Sequence, residues 1–359
     1  MVRIPKILIA PLNWGLGHAT RCIPIIHSLL DHGVDVIIGG DGRPLELLTQ
    51  EFSSLQTVRL PGLNVSYEGN LAGSIIRHFP HIVLTSYKEH RELDELIDRL
   101  GIDAVISDNR FGLYSSRIPS IYVTHQVGIM MPKLLRWAKS PVARAHSLLI
   151  SRFKECWIPD YQGEINLSAE LGHCDPLPNN SFYVGPLSRF RKFPNMRKQY
   201  DLIAILSGPE PQRTLFERIV VSQLQNTTLK ALIVRGVTET KSRTAITDTI
   251  SMVSYLTSDE LNKAILAADI VLSRPGYSTI MDLTVLETKA IFVPTPGQTE
   301  QEYLADHYSR HKIFYSERQA EFQVLRALTE ARSYTGMRDT FSEKTCLGTR
   351  IQNLLEMIQ

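Results

Sequence analysis

The sequence predicts an α/β protein of two domains. Short apolar runs alternate with amphipathic stretches of helical spacing along the whole chain, a pattern typical of strands that helices join into parallel sheets. The apolar runs end in loops rich in Gly, Pro and Ser, as expected at the carboxyl ends of such strands. The chain has 359 residues, which is enough for two domains of ordinary size.

Composition and charge exclude several classes of protein. The net charge of +2 gives no general attraction to nucleic acid. The four cysteines are scattered without metal-type spacing, which suits a reduced cytosol better than a disulfide-bonded secreted protein. The N-terminus lacks a signal-peptide pattern, and no apolar run reaches the roughly 18 to 20 residues that span a bilayer. We therefore expect a cytoplasmic globular enzyme.

The chain begins with the pattern of a Rossmann-like domain: a strand at 6–11, a glycine-containing loop, a helix at 22–31 and a strand at 34–38. Thr20 stands where the dinucleotide fingerprint GxGxxG requires its third glycine, which argues against NAD. Further predicted elements are helices at 43–52 and 79–100 and strands at 57–60, 104–106, 120–123 and 156–159.

The segment 129–154 contains six basic residues and no acidic one, with Met, Leu and Trp137 between them. A basic, apolar helix that carries a Trp can lie on an anionic membrane surface, which would suit a lipid-linked acceptor and a peripheral location on the inner face of the membrane. The alternative is a helix that packs its apolar side on the sheet while its Lys and Arg side chains face water. The sequence leaves both interpretations open.

The dipeptide Gly185-Pro186 and the polar, basic stretch that follows it indicate a domain boundary near residue 187. A second series of strands and helices then begins. Its predicted strands lie at 200–206, 231–234, 252–256, 270–272 and 291–293, and a final helix lies at 344–358.

The stretch 270–305 carries the strongest functional signal. An apolar run stops at the loop Ser273-Arg274-Pro275-Gly276, and a helical pattern follows. The start of a helix favours an anion, Gly276 lets the backbone approach it closely, and Ser278 and Thr279 add hydroxyl donors. Asp282, one turn further along, can accept hydrogen bonds from a diol such as a ribose. The alternative is an ordinary βαβ unit with a capped helix.

The pattern Ser-Arg-x-Gly-x-x-Thr-x-x-Asp at 273–282, followed by Val-Pro and the pair Glu300-Gln301, resembles the donor-binding half of GT-B glycosyltransferases. Family 28, which includes the N-acetylglucosaminyltransferase of peptidoglycan synthesis, is the most similar. The resemblance implies two Rossmann-like domains facing a cleft. Residues 1–186 would bind the acceptor and residues 187–340 the nucleotide sugar, while the helix in 341–359 would cross back to the first domain.

The resemblance also assigns donor contacts. Asp282 would bind the ribose near Tyr255 and Leu256, which lie where the base rests in relatives, and Glu300 and Gln301 would hold the sugar. Arg274 either contacts the diphosphate or supports its loop. The negative charge of Glu210 would be unfavourable beside a diphosphate unless Arg213 offsets it. The residues implied in diphosphate binding are Gly15, Gly17, Ser207, Gly208, Arg213, Arg274, Gly276, Ser278 and Thr279.

The loop Gly15-Leu16-Gly17-His18 resembles the glycine-rich first loop of GT-B enzymes, so His18 is the candidate general base. Asp108, at the end of another strand, is a second catalytic candidate that would orient the imidazole or contact the acceptor. The alternatives are a His18 that only lines the loop and a turn-forming Asp108. His125 and Gln126 are acceptor candidates, although the Glu of the family's His-Glu-Gln segment is absent here.

The resemblance implies an inverting glycosyltransferase that moves a HexNAc or hexose from a UDP-sugar to a hydroxyl of a lipid-linked or cell-envelope acceptor. No strand-end loop contains Asp-x-Asp, so we expect neither a metal nor any cofactor beyond the UDP-sugar itself. Two alternatives remain: a UDP-sugar 2-epimerase, for which only Asp108 is suitably placed as an acid, and a non-catalytic protein that binds nucleotide sugars.

Overall fold

The computed structural model describes residues 3–62, 71–128, 139–237, 241–338 and 346–358. The chain divides into two compact units. The first comprises Met1–Ser188 together with Ser342–Gln359, and the second comprises Arg189–Phe341. Each unit contains one seven-stranded sheet, so the α/β class predicted from the alternating pattern is confirmed.

The sheet of the first unit has the strand order β3-β2-β1-β4-β5-β6-β7, and every neighbouring pair is parallel. Its strands are β1 Lys6–Pro11, β2 Asp35–Gly40, β3 Gln56–Arg59, β4 Ala104–Asp108, β5 Ser120–Val123, β6 Glu155–Ile158 and β7 Ser181–Tyr183. Its helices are α1 Leu16–Asp31, α2 Gly42–Glu51, α3 Leu71–Leu100, α4 Lys139–Ile150 and, from the end of the chain, α10 Cys346–Ile358.

The sheet of the second unit has the order β10-β11-β9-β8-β12-β13-β14, with one antiparallel pair, β10 and β11. Its strands are β8 Tyr200–Ile205, β9 Ala231–Val234, β10 Arg243–Ala245, β11 Ile250–Val253, β12 Ala268–Ser273, β13 Lys289–Phe292 and β14 Tyr315–Ser316. Its helices are α5 Gln212–Leu224, α6 Ser258–Leu266, α7 Tyr277–Leu286, α8 Thr299–Arg310 and α9 Val324–Ala331.

Each sheet is buried because its central strands are apolar on both faces, as parallel strands covered by helices require. In the first unit β1 and β4 are buried almost throughout, and Leu93 and Leu96 of α3 pack against them. In the second unit Phe216 of α5 packs on the strand residues Leu202 and Leu272. The two cores hold the carboxyl ends of the strands in fixed positions.

Two helices begin earlier than the sequence predicts. Helix α1 starts at Leu16 instead of residue 22, because Gly15 reverses the chain with a φ of 101° and helical geometry follows at once. His18 therefore lies in the first turn of α1. Helix α3 starts at Leu71 instead of residue 79, and the predicted loop before it includes residues 63–70, which lie outside the described residues.

The ends of the second unit's elements also differ from the expectation. Helix α6 is capped by Thr257, whose side-chain oxygen accepts from the Glu260 amide, while the Thr257 amide donates to the Glu260 carboxylate. The sequence predicts this cap slightly later, within 258–260. Strands β10 and β14 were not predicted, since two or three residues at a sheet edge leave no readable periodicity. Helix α9 was also not predicted, although its buried residues Val324, Ala327, Leu328 and Ala331 have helical spacing.

The last helix, α10, packs on α1 of the first unit. Arg350 Nη1 donates to Glu155 Oε1 at 3.2 Å, and its guanidinium lies 4.3 Å from the centre of the Phe182 ring. In the described parts of the chain, no helix is both long enough and apolar enough to cross a membrane.

Candidate functional site

The strand order of the first unit reverses between β1 and β4, and ligands of open α/β sheets bind at such switch points. Two predicted site residues meet there. His18 follows β1 on the first turn of α1, and Asp108 is the last residue of β4, paired with Pro11 across the strands. His18 Nδ1 lies 2.6 Å from Asp108 Oδ1. The histidine and the acid thus form one hydrogen-bonded pair.

Arg21, one turn after His18 on α1, completes this cluster. Its Nε and Nη2 donate to the two oxygens of Asp108, and both side chains are buried, with 2% and 0% exposed. Its Nη1 lies 3.0 Å from Nδ1 of His125, which follows β5. The His18 side chain keeps 14% of its surface exposed, so it is the accessible member of a buried polar group.

The charges of this cluster favour an ionised Asp108 and a neutral His18. Burial by itself raises the pKa of the Asp108 carboxyl, but Arg21 and His18 outweigh it and hold that pKa below its usual value. Burial lowers the pKa of the His18 imidazole, and the positive charge of Arg21 lowers it further against the opposing effect of Asp108. A neutral imidazole beside a carboxylate can accept a proton.

The other acceptor candidate, Gln126, lies next to this cluster in the chain. Its backbone amide donates to Thr124 Oγ1 at 3.1 Å, and its side chain is half-buried. The structure therefore brings His18, Asp108 and His125 together, while it shows Gln126 only as part of the same loop.

Arg110 stabilises the strand ends around this site. It donates to Glu89 Oε1 at 2.9 Å, to Asp41 Oδ1 at 3.1 Å and to the Pro11 carbonyl at 3.1 Å. It also donates to the Pro61 carbonyl at 2.5 Å. One buried guanidinium thus connects the ends of β1, β2 and β3 with α3.

In the second unit the strand order reverses between β8 and β12. Ser207 and Gly208 follow β8, and Gly208 has a φ of +109°, a left-handed conformation that favours glycine. Gly276 precedes α7, which begins at Tyr277, so Ser278 and Thr279 lie in the first turn of this helix. Five residues predicted for the diphosphate therefore share one sheet edge with a helix N-terminus.

Helix α7 has no acidic residue in its first turn, and its N-cap residue is Gly276, which has no side chain to cap it. Its N-terminal N–H groups carry partial positive charge that no carboxylate in that turn offsets. Asp282 lies in the second turn and is half-buried. This end of the helix can bind an anion, with a carboxylate one turn away.

Arg274, which directly precedes this loop, is 1% exposed and holds the loop through uncharged oxygens. Its Nη1 donates to the carbonyls of Val293 and Pro294, at 2.8 and 3.0 Å, and its Nη2 donates to the Gln212 carbonyl and to Gln319 Oε1. Burial lowers its pKa to about 10. These bonds favour the supporting role over direct contact with a diphosphate.

Arg213 pairs with two carboxylates. Its Nε donates to Glu210 Oε1 at 2.6 Å, and its Nη1 donates to Glu217 Oε2 at 2.7 Å. Arg213 therefore offsets Glu210, as expected, but it does so while bound to Glu217 as well. Its availability to a phosphate depends on breaking one of these ion pairs.

The remaining donor candidates lie at the ends of β13 and β11. Glu300 and Gln301 are in the first turn of α8, and Gln301 Oε1 accepts from the Thr295 amide at 2.8 Å, which leaves the amide NH₂ of Gln301 as its donor group. Tyr255 and Leu256 follow β11 and are half-buried. In the first unit, Gly15 and Gly17 flank the start of α1.

The sequence of the second unit matches a known protein family. The model for the glycosyltransferase family 28 C-terminal domain matches residues 203–343. Residues 203–343 are a glycosyltransferase family 28 C-terminal domain. The start of α7, with Gly276, Ser278 and Thr279, lies within the matched residues.

Similar proteins cover nearly the whole chain. An uncharacterized glycosyltransferase of Methanosarcina acetivorans is 21% identical over 353 residues, which are 92% of this chain and 91% of that protein. The crystal structure of MurG from Acinetobacter baumannii has a TM-score of 0.56 at 14% identity, over 99% of this chain and 100% of that one. The spinosyn rhamnosyltransferase SpnG complexed with thymidine diphosphate has a TM-score of 0.58 at 16% identity, over 98% and 96%.

These matches confirm the resemblance to GT-B glycosyltransferases and to family 28. The chain is a glycosyltransferase with the GT-B fold, of which the family 28 domain is the second half.

Sequence reasoning did not find Arg21 in this glycosyltransferase. Arg21 lies between Thr20 and Cys22 at the start of an apolar helix face, where the pattern predicts core packing. One signal could have identified Arg21: it is a basic residue on the buried side of the helix, one turn after the candidate base His18.

Proposed function

We propose that this glycosyltransferase transfers a hexose or HexNAc, with inversion and without a metal, from a UDP-sugar to a hydroxyl acceptor. The observation that supports the proposal most is the 2.6 Å pair of His18 and Asp108 at the switch point of the first unit. In this proposal the first unit provides the base for the acceptor, and the family 28 domain binds the donor.

His18 is the proposed base. Asp108 is ionised and accepts from Nδ1–H of His18, so the lone pair of His18 is on Nε2. The acceptor oxygen attacks the anomeric carbon on the face opposite the diphosphate and inverts it. As the new C–O bond forms, the bond between the anomeric carbon and the diphosphate oxygen breaks, its electron pair stays with the diphosphate, and the hydroxyl proton moves to His18 Nε2.

The start of α7 is the proposed site of the leaving diphosphate. Backbone N–H groups at Gly276 and in the first turn, with the hydroxyls of Ser278 and Thr279, stabilise the charge that develops on it. Arg274 supports this loop and adds a nearby positive charge. Asp282 would bind the ribose, Tyr255 and Leu256 the base, and Glu300 and Gln301 the sugar. The thymidine diphosphate bound to SpnG supports a nucleoside diphosphate here.

A membrane-associated acceptor is the further part of this proposal. Residues 129–138 of the basic segment lie outside the described residues. In the remainder, α4 carries Leu148 with 65% of its surface exposed, and Arg144, Arg152 and Lys154 are exposed. These exposed side chains would suit an anionic membrane surface, and a lipid-linked or cell-envelope acceptor would be reached from it.

A thermal-shift panel of UDP, TDP and UDP-sugars on the wild type and on Asp282→Ala tests the donor site. A ligand present at 100 times its Kd stabilises the native state by about 2.7 kcal/mol. We expect a shift with UDP that Asp282→Ala reduces. No shift with any nucleotide would rule out this donor site. Incubation of a UDP-sugar without an acceptor tests for a 2-epimerase, which would form a new UDP-sugar under these conditions. Sedimentation with anionic liposomes tests whether the protein binds a membrane surface.

Turnover of a UDP-sugar in EDTA, with the configuration of the product read by NMR, tests the metal independence and the inversion. Activity that EDTA abolishes and a divalent metal restores would contradict the first, and retained configuration would contradict the second.

A further inference from the structure

Arg21 contacts three side chains of the first unit at once. Its Nε and Nη2 donate to Asp108, its Nη2 lies 2.8 Å from His18 Nδ1, and its Nη1 lies 3.0 Å from His125 Nδ1. A guanidinium has five N–H donors, no acceptor, and keeps its proton at any ordinary pH. A ring nitrogen that forms a hydrogen bond with this guanidinium must therefore accept it through a lone pair.

This requirement fixes the proton of His125. Because Nη1 of Arg21 donates to it, His125 Nδ1 carries the lone pair and the ring proton is on Nε2. His125 is 6% exposed, so solvent has little access with which to compete for that nitrogen.

His18 has the opposite arrangement. Its Nδ1 lies near both the Asp108 carboxylate and Nη2 of Arg21, and it cannot donate to the first and accept from the second together. Asp108 Oδ1 belongs to an ionised carboxylate and lies only 2.6 Å from Nδ1. Two acceptors would repel each other at this distance, so Nδ1 carries the proton and donates to Asp108. The lone pair of His18 is then on Nε2.

We propose that Arg21 is a positioning residue that gives the two histidines opposite tautomers, with the proton on Nδ1 of His18 and on Nε2 of His125. The arginine thus sets a proton-accepting nitrogen on one ring and a proton-donating nitrogen on the other. This inference deepens the proposed function and rests on it wherever turnover is the measurement; the tautomers themselves are properties of the chain.

Arg21 has a second effect on His18, through charge. The titratable and charged groups that face His18 are Asp108 from β4, Arg21 from its own helix and His125 from the loop after β5; Cys22 faces Asp108 at 3.9 Å. Asp108 alone would raise the pKa of His18, whereas Arg21 opposes it. Burial and the charge of Arg21 together hold the pKa of His18 below its usual value, while Asp108 orients the ring.

Two substitutions separate these effects. Arg21→Lys keeps the positive charge but loses the forked geometry, so it should release the tautomer of His125 and leave the titration of His18 close to that of the wild type. Arg21→Met loses both, so the titration midpoint of His18 and the acid limb of kcat/KM should move upward together by roughly one pH unit or more.

The measurement is long-range ¹H–¹⁵N NMR of the full chain labelled at its 11 histidines, with His18→Gln and His125→Gln to assign the two rings. Arg110→Lys is the matched control, because Arg110 is an equally buried arginine of the same unit that bonds to Glu89 and Asp41 instead of a histidine. Its substitution should leave both histidine spectra unchanged.

Opposite tautomers in the wild type, with the changes described for the Arg21 variants, support the inference. The same tautomer on both rings of the wild type overturns it, whether or not any variant folds. It is also overturned if the Arg21 variants only lower stability, as Arg110→Lys would, and leave both tautomers and the acid limb in place. If the tautomers are as stated and no donor is turned over, the proposed function fails and the inference stands.

Discussion

Arg21 of the first unit and Arg274 of the second are equally buried, at 2% and 1% exposed, but their partners differ in charge. Arg21 bonds to the carboxylate of Asp108, and the neighbouring Arg110 bonds to Glu89 and Asp41. Arg274 bonds to carbonyl and amide oxygens, and among the described residues no carboxylate pairs with it. Its guanidinium also stacks on Phe216 at 4.3 Å.

The difference matches the chemistry proposed for each unit. A buried cation that is paired with an anion leaves little net field, which suits a base that must stay neutral. A buried cation that only dipoles surround leaves positive potential near the start of α7, where the helix dipole adds to it. Such a position, with no acidic residue in the first turn of α7, suits a diphosphate.

The largest expected effect concerns the first unit, where His18 is the proposed base. His18→Ala removes the proposed base, so kcat should fall by about 10²- to 10⁴-fold, while the shift of the melting temperature that UDP produces should persist. Single-turnover kinetics and the thermal shift measure the two quantities on one sample. Loss of UDP binding along with activity would mean that His18 serves the donor or the fold.

Removing a paired arginine should cost more stability than removing the unpaired one. Arg110→Met leaves Glu89 buried without its cation, which costs about 3 to 5 kcal/mol of unfolding free energy. Burial already raises the pKa of Glu89 against the effect of Arg110, so protonation of Glu89 limits this loss at low pH. Urea unfolding measures it, and Arg110→Met with Glu89→Gln should recover part of the loss. No recovery would show that the carboxylate is not the cause.

Arg274→Met tests the role of the unpaired cation in the second unit. Its carbonyl partners are neutral, so the stability cost should be smaller, at about 1 to 3 kcal/mol. The affinity for UDP should fall by about tenfold, equal to about 1.4 kcal/mol, while any affinity for uridine, which has no phosphate, should stay the same. Isothermal titration with both ligands separates the cases. An equal loss for UDP and uridine would indicate a distorted loop instead of a lost charge.

The sequence predicted positions better than partners. His18, Asp108, Gly276 and Ser278 follow apolar runs, and the end of a buried strand is readable because the pattern changes there. Which of these ends meet depends on strand order, which local periodicity does not contain. The resemblance provided that order for the GT-B fold as a whole.

Buried charges were the least predictable part of the site. Arg21 and Arg110 are buried and are stabilised by Asp108 and Glu89, which are 87 and 21 positions away in the chain. A single sequence shows each charged residue but not which distant residue pairs with it. Arg274 stood in a recognised motif, yet its bonds to Val293 and Pro294 depend on the adjacent strand β13.

The smallest expected effect is on the pH dependence of the free energy of unfolding. The native pKa of His18 lies below its usual value of 6.5, so the unfolded chain takes up a proton at His18 before the native protein does. The unfolded state then binds more protons, and the free energy of unfolding falls as the pH drops through 6.5. His18→Gln should remove this part of the acid sensitivity between pH 7.5 and 5.5 in urea unfolding, whereas His32→Gln, at an exposed histidine at the opposite end of the same helix, should retain it. Equal acid sensitivity in His18→Gln and the wild type would mean that Arg21 and burial do not hold His18 neutral, and the contrast between a charge-balanced first unit and a positive second unit would lose its best evidence.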